Sequence, residues 1–160
     1  MTQNTEIHIY TDGGCWGNPG PGGWAYCILL DGDTLEKNGG DGATTNNRME
    51  LTAVIEALTE VRGRQEWHLR PVAVHTDSQY VKNGITSWIE TWSRNGWKTA
   101  AKKPVKNQDL WVPLKKLRDS LNIRWQWVKG HAGNEHNERC DALVQEAVAS
   151  VQAAKKSDPI

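Results

Sequence analysis

Two segments of this chain end alike, each on a carboxylate. Glu6-Ile7-His8-Ile9-Tyr10-Thr11-Asp12 leads into Gly13-Gly14, and Val72-Ala73-Val74-His75-Thr76-Asp77 leads into Ser78. Alternating apolar and polar residues mark a half-buried strand, and Gly13-Gly14 predicts that the first strand stops at Asp12. In α/β sheets the carboxyl ends of strands are where ligands bind. If the two strands are parallel neighbours, Asp12 and Asp77 face each other across a short gap. Two carboxylates that close repel, so that one keeps its proton unless a divalent cation relieves the repulsion.

Two more carboxylates fall on apolar helix faces. A helix from about Thr45 to Arg62 presents Ala53, Val54, Ala57, Leu58 and Val61 inward, and one turn back along that stripe lies Glu50. A carboxylate facing a sheet is costly unless paired or metal-bound. Read alone, Glu50 is also a first-turn residue favoured by the helix dipole. A final helix, capped by Asn134 and running to about Val151, places Asp141 on one face with Val144, Val148 and Val151. An all-oxygen set selects a hard cation, Mg²⁺ with Mn²⁺ as a substitute, over zinc. One ion, or two about 3.5–4 Å apart, would suit in-line phosphoryl displacement by water. His131, in Lys129-Gly130-His131-Ala132-Gly133, reads either as a solvent-reached proton carrier or as a plain surface histidine.

Other elements must position these groups. Trp24–Leu30 and Thr34–Asn38 read as strands joined by an Asp31-Gly32-Asp33 turn, so strands 1-2-3 form an antiparallel meander. The Gly/Pro stretch from Cys15 to Gly23 reads as a tight connection whose backbone can also approach a phosphate. Strands 1 and 4 are joined through a helix, which favours parallel pairing. Ser78 caps a short helix that Gly84 terminates, and a second helix runs from about Thr86 to Arg94. Gln108–Leu121 is amphipathic, and Ile123–Val128 is the fifth strand. The expected fold class is α/β, a five-stranded mixed sheet with parallel strands 1-4-5, flanked by helices. One domain over residues 1–152 and a frayed polar tail over 153–160 complete the expectation.

The zero net charge hides an asymmetry. Residues 1–81 carry 5 Lys/Arg and 11 Asp/Glu, residues 82–129 carry 11 and 3, and residues 130–160 carry 3 and 5. A basic middle in an acidic chain points to a localised polyanion-binding face. Within it Trp88, Trp92, Trp97 and Trp111 interleave with Arg94, Lys98, Lys102, Lys103 and Lys106. Charge suits phosphates and flat rings suit sugars or bases, whereas a satellite core with a solvated rim is the alternative. Trp88 and Trp111 lean to that core, the lysines to nucleic acid. Three cysteines without CxxC spacing, no signal peptide and no apolar run of membrane-spanning length fit a cytoplasmic protein.

Thr11-Asp-Gly-Gly-Cys-Trp-Gly-Asn-Pro-Gly-Pro-Gly-Gly23, Thr44-Thr-Asn-Asn-Arg-Met-Glu-Leu51, Thr76-Asp-Ser-Gln-Tyr-Val81, Lys129-Gly-His-Ala-Gly133 and Asn137-Glu-Arg-Cys-Asp141 follow one another as the motifs of bacterial type 1 ribonuclease H do. The chain resembles that family over about residues 6–148. The resemblance implies Mg²⁺-dependent cleavage of the RNA strand of RNA–DNA hybrids, leaving 5′-phosphate and 3′-hydroxyl ends. By motif, it makes Asp12, Glu50, Asp77 and Asp141 the metal carboxylates and His131 the catalytic histidine. It puts Thr45 and Asn46 on DNA phosphate, and Asn18, Asn47 and Gln79 on minor-groove sugars and base edges. The stretch from Trp88 to Lys106 resembles the family's basic handle for the hybrid, and a monomer is the expected state. Gly14 departs from the serine common in the family, and Ala132 to His136 depart from its usual loop.

Overall fold

The computed structural model describes residues 5–128 and 134–157. Five strands form one mixed sheet: β1 (Ile7–Cys15), β2 (Gly20–Leu30), β3 (Asp33–Thr44), β4 (Val72–Thr76) and β5 (Ile123–Trp127). Their order is β3-β2-β1-β4-β5. The β1–β2 and β2–β3 pairs are antiparallel, and β1–β4 and β4–β5 are parallel. This is the mixed five-stranded arrangement expected from the pattern of short turns and helical crossovers.

Alternation along the strands divides the core. Ile7, Ile9, Tyr26, Ile28, Val72 and Val74 face helices α1 (Asn46–Gly63) and α4 (Gln108–Ser120), with Leu51, Val54, Leu58 and Leu114 packed on them. Full burial of each such side chain contributes roughly 1.5–3 kcal/mol. On the opposite face Ala25 and Cys27 meet Cys140, Leu143, Val144 and Val148 of α5 (Glu135–Ser157). The sheet is therefore covered on both sides, and its carboxyl edge, at the ends of the central strands β1 and β4, remains open for a site.

Several boundaries differ from the sequence expectation. β1 does not stop at Asp12. It continues through Gly13 and Gly14, paired with Trp24 and Gly23 of β2, to Cys15. Its pairing with β4, however, ends at Tyr10↔His75, so Asp12 lies just past the end of that parallel ladder. Gly13 is there for close approach: a Cβ would collide with the backbone of Met49 and Glu50. β2 likewise starts at Gly20, which shrinks the Gly/Pro connection to Trp16–Pro19, and β3 runs to Thr44 rather than Asn38. At Gly39 a Cβ would strike the Trp24 ring, so this glycine admits a side chain across the strand pair instead of breaking the strand.

Gly84 does not terminate α2 (Gln79–Asn83) either. Its backbone is right-handed helical, and the chain passes through one π-helical turn (Gly84–Trp88) into α3 (Ile89–Arg94). A Cβ at Gly84 would fall inside the ring of the fully buried Trp111. The glycine is a packing requirement, not a stop signal. The last helix extends six residues past Val151, to Ser157, and so takes in the first five residues of the tail expected to fray, whose last three lie outside the described residues.

Candidate metal centre and nucleic-acid interface

The carboxylates that the sequence singled out come from separate elements. Asp12 projects from β1 beyond its last partner on β4, and Asp77 follows the last residue of β4. Glu50 reaches them from the first turns of α1. Thr45 caps that helix, its Oγ1 accepting the Arg48 N–H at 3.3 Å. After Asp77 the chain is held by two side-chain bonds: Thr76 Oγ1 accepts from Ser78 N at 3.2 Å, and Ser78 Oγ accepts from Val81 N at 3.1 Å. These bonds fix the direction in which β4 hands Asp77 to the cleft.

One carboxylate oxygen from each of Asp12, Glu50 and Asp77 lies within 4.8 Å of the others. Asp12 and Glu50 are buried. Burial first, then the charges of Asp12 and Asp77, pushes the Glu50 carboxyl well above the ordinary carboxylate range, against the hydrogen bond from the Gly13 N–H. Glu50 Oε1 is buried with no hydrogen-bond partner. Native folds rarely leave such an acceptor unmet. A hard divalent cation among the three would meet it and offset the repulsion, so the residues fit such an ion. Asp141, on α5, lines the same cleft of about 370 Å³ but stands outside the tight triad. His131 falls outside the described residues.

The expected nucleic-acid contacts gather near this edge or on the basic handle. Asn18 Oδ1 accepts the Asn46 N–H at 3.1 Å, tying the β1–β2 hairpin to the start of α1. Asn18, Asn46 and Asn47 are exposed, as is Gln79 at the start of α2, two residues beyond Asp77. Thr45 is half-buried in its capping role. The handle follows α3. Its backbone turns back on itself, with Thr99 N donating to Lys103 O at 2.8 Å and Val105 N to Trp97 O at 3.0 Å. Arg94, Lys98, Lys102, Lys103 and Lys106 are exposed, while buried Val105 anchors the loop.

The tryptophans act chiefly as the pedestal. Trp111 is fully buried, and Trp88, Trp92 and Trp97 are half-buried. Trp92 lies 5.5 Å from Trp88 and 5.6 Å from Trp111, ring centre to ring centre. Trp111 Nε1 donates to the Tyr80 hydroxyl at 3.1 Å, which also accepts from Asn107 Nδ2 at 3.1 Å. Arg48 joins the handle's far end to α1 by bonding Asn107 Oδ1 at 3.1 Å and Asp109 Oδ2 at 2.6 Å. Sequence reasoning left Arg48, Trp16 and Gln145 without a role. An exposed tryptophan inside a Gly/Pro connection was the signal available for Trp16.

Known proteins resemble this chain. Residues 4–149 match the RNase H family. A ribonuclease H from Hyphomonas neptunium is 52% identical over 155 residues, which cover 97% of this chain and 100% of that protein. Another, from Treponema denticola, is 53% identical over 155 residues, 89% of this chain and 96% of that one. Among solved structures, LC9-RNase H1 superposes with a TM-score of 0.79 at 31% identity, covering 91% of this chain and 72% of its own. LC11-RNase H1, solved in complex with an RNA/DNA hybrid, superposes with a TM-score of 0.70 at 27% identity, covering 91% and 99%. A buried acidic triad at the open carboxyl ends of β1 and β4, on a sheet of this order and in a chain this similar to known enzymes, leads to one assignment: the chain belongs to the ribonuclease H family.

Proposed function

We propose that this chain hydrolyses the RNA strand of RNA–DNA hybrids with Mg²⁺ held by Asp12, Glu50 and Asp77, and with Asp141 contributing from the cleft wall. The observation that carries this reading is the convergence of the three carboxylates around a buried, unpartnered Glu50 oxygen. A bound divalent ion would lower the pKa of the attacking water and neutralise charge developing on the phosphate. The chain's own residues do the rest. Burial of Asp12 and Glu50 keeps the site in a low-dielectric setting, where fixed charges act strongly. The Thr45 and Ser78 caps hold α1 and α2 so that the carboxylates are in place before substrate arrives.

Water attacks phosphorus in line, the P–O3′ bond breaks, and the products carry 5′-phosphate and 3′-hydroxyl ends. The attacking water gives up one proton and the departing 3′ oxygen takes one up, and we assign this shuttling to His131. Exposed Asn18, Asn47 and Gln79 are suited to hydrogen-bond sugar hydroxyls, the feature that distinguishes RNA from DNA, and Thr45 and Asn46 to grip a phosphate of the DNA strand. The basic handle then holds the phosphates of the same duplex some distance from the cut. Mn²⁺ shares the hard-donor preference and should replace Mg²⁺. The test is strand-resolved cleavage of a hybrid, a DNA duplex and an RNA duplex, with Mg²⁺ and with chelator. The expected result is scission of the RNA strand of the hybrid alone, and only with the ion. Equal cutting of duplex DNA, or cutting in chelator, would overturn it.

A further inference from the structure

Trp16 is one of two large hydrophobic side chains exposed among the described residues, at 45% of its surface. Such exposure is informative when it borders a functional cleft. Trp16 sits in the four-residue connection between β1 and β2, four residues beyond Asp12, and lines the cleft with Asp12, Glu50, Asp77 and Asp141. It is not loose there. Its indole Nε1 donates to Gln145 Oε1 at 3.0 Å, and Gln145, on α5 one turn beyond Asp141, lines the same cleft. The backbone is held as well, with Trp16 N donating to Pro21 O at 2.8 Å. The edge of the indole is thus committed to protein while nearly half of its surface faces solvent beside the acidic triad.

We infer that Trp16 is a substrate-contacting wall of the metal cleft, packing against the sugar and base of a nucleotide next to the scissile phosphate, with Gln145 as its positioning residue. This rests on the hybrid-cleaving reading. If the triad engages the scissile phosphate, the neighbouring nucleotide must pass along the cleft that Trp16 walls. In a paired duplex the base faces are stacked on one another, so the ring packs flat against the sugar and the groove edge of the base, an apolar contact that adds affinity without sequence preference. Holding the ring in advance by Gln145 reduces the ordering cost of binding. Isolated exposure on a hairpin tip is the bland alternative, but a tip residue would not need its N–H anchored to another element across the cleft.

The test compares wild type with Trp16→Ala, Trp16→Phe and Gln145→Ala. Hybrid binding is measured in chelator, and KM and kcat in Mg²⁺. Trp16→Ala should weaken binding and raise KM by about tenfold, within the range of truncating one well-packed interface aromatic, with kcat nearly kept. Trp16→Phe, which retains a face but loses the anchor, should fall between, and Gln145→Ala should resemble it. The inference fails if Trp16→Ala binds as wild type does, or if it lowers kcat with KM unchanged, since the ring would then serve only the fold around the triad. Wild type that does not cleave hybrids would instead sink the reading on which it rests. A circular-dichroism melt of each variant identifies any that has not folded, and Trp16→Phe then carries the comparison.

Discussion

Replacing Glu50 with glutamine should stabilise the metal-free protein and remove its stabilisation by Mg²⁺. At 4.8 Å, the limit separating the triad's ligand atoms, two unit charges repel by about 3.5 kcal/mol at an effective dielectric constant near 20. Glu50 sits in a buried setting and faces two such neighbours, and burial and their charges together push its carboxyl well above the ordinary range. Its folded pKa then lies above the ordinary 4.5, and the folded state binds more protons than the unfolded chain as pH rises past that value. Stability therefore falls with rising pH, by about 1.4 kcal/mol per unit, until the folded pKa is passed. The Glu50→Gln variant has no proton to hold, so its advantage should be small near pH 5 and grow towards pH 7. The assay is urea unfolding in chelator across that range, repeated with saturating Mg²⁺. An ion at a hundred times its Kd should add about 2.7 kcal/mol to wild type and much less to the variant. Parallel pH profiles for the two proteins in chelator, or equal Mg²⁺ stabilisation of both, would refute the reasoning.

Three further outcomes follow from other parts of the fold. Replacing Lys98, Lys102 and Lys103 together with alanine should weaken hybrid binding and reduce the slope of log K against log salt by about 2–3, measured by titration at several salt concentrations, with kcat at saturation nearly unchanged. Gly84→Ala should cost about 2–3 kcal/mol of stability, because its Cβ would enter the Trp111 ring, and trimming Trp111 to leucine should make the second substitution much less costly in a double-mutant cycle. Burial, then the charges of His8 and Arg124, lowers the His75 pKa to about 4, so the unfolded chain takes up this proton first as pH falls from 6.5. Acid should thus remove stability between pH 6.5 and 4, by about 1–2 kcal/mol after allowing for partial solvent screening, and His75→Gln should flatten that part of the denaturation profile.

The parts of this structure legible in the sequence are those governed by local period. Ile7 and Ile9 alternate, Ala53 to Val61 form a stripe, and both patterns survive into the core unchanged. The same stripe led to Glu50, whose burial follows from its place on the helix and not from its chemistry. What could not be read were effects of distant residues on glycine. Gly13, Gly39 and Gly84 look like breaks locally, yet each is demanded by a partner far along the chain: the start of α1, Trp24 and Trp111. For that reason β1 and β3 run longer than expected and α2 passes on into α3. The cleft itself was half legible. Four carboxylates announced it, but Asp141 stands apart from the triad, and the Trp16–Gln145 contact spans 129 residues of sequence that no spacing rule connects.

The most direct measurement is hybrid binding and RNA-strand cleavage by Asp77→Asn beside wild type in Mg²⁺. Asp77 is one of the three converging carboxylates, and asparagine keeps its shape while removing its charge. The expected result is binding within about threefold of wild type with cleavage reduced at least about a thousandfold. A variant that still cleaves at a rate near wild type would contradict the assignment of the triad as the metal-holding catalytic centre.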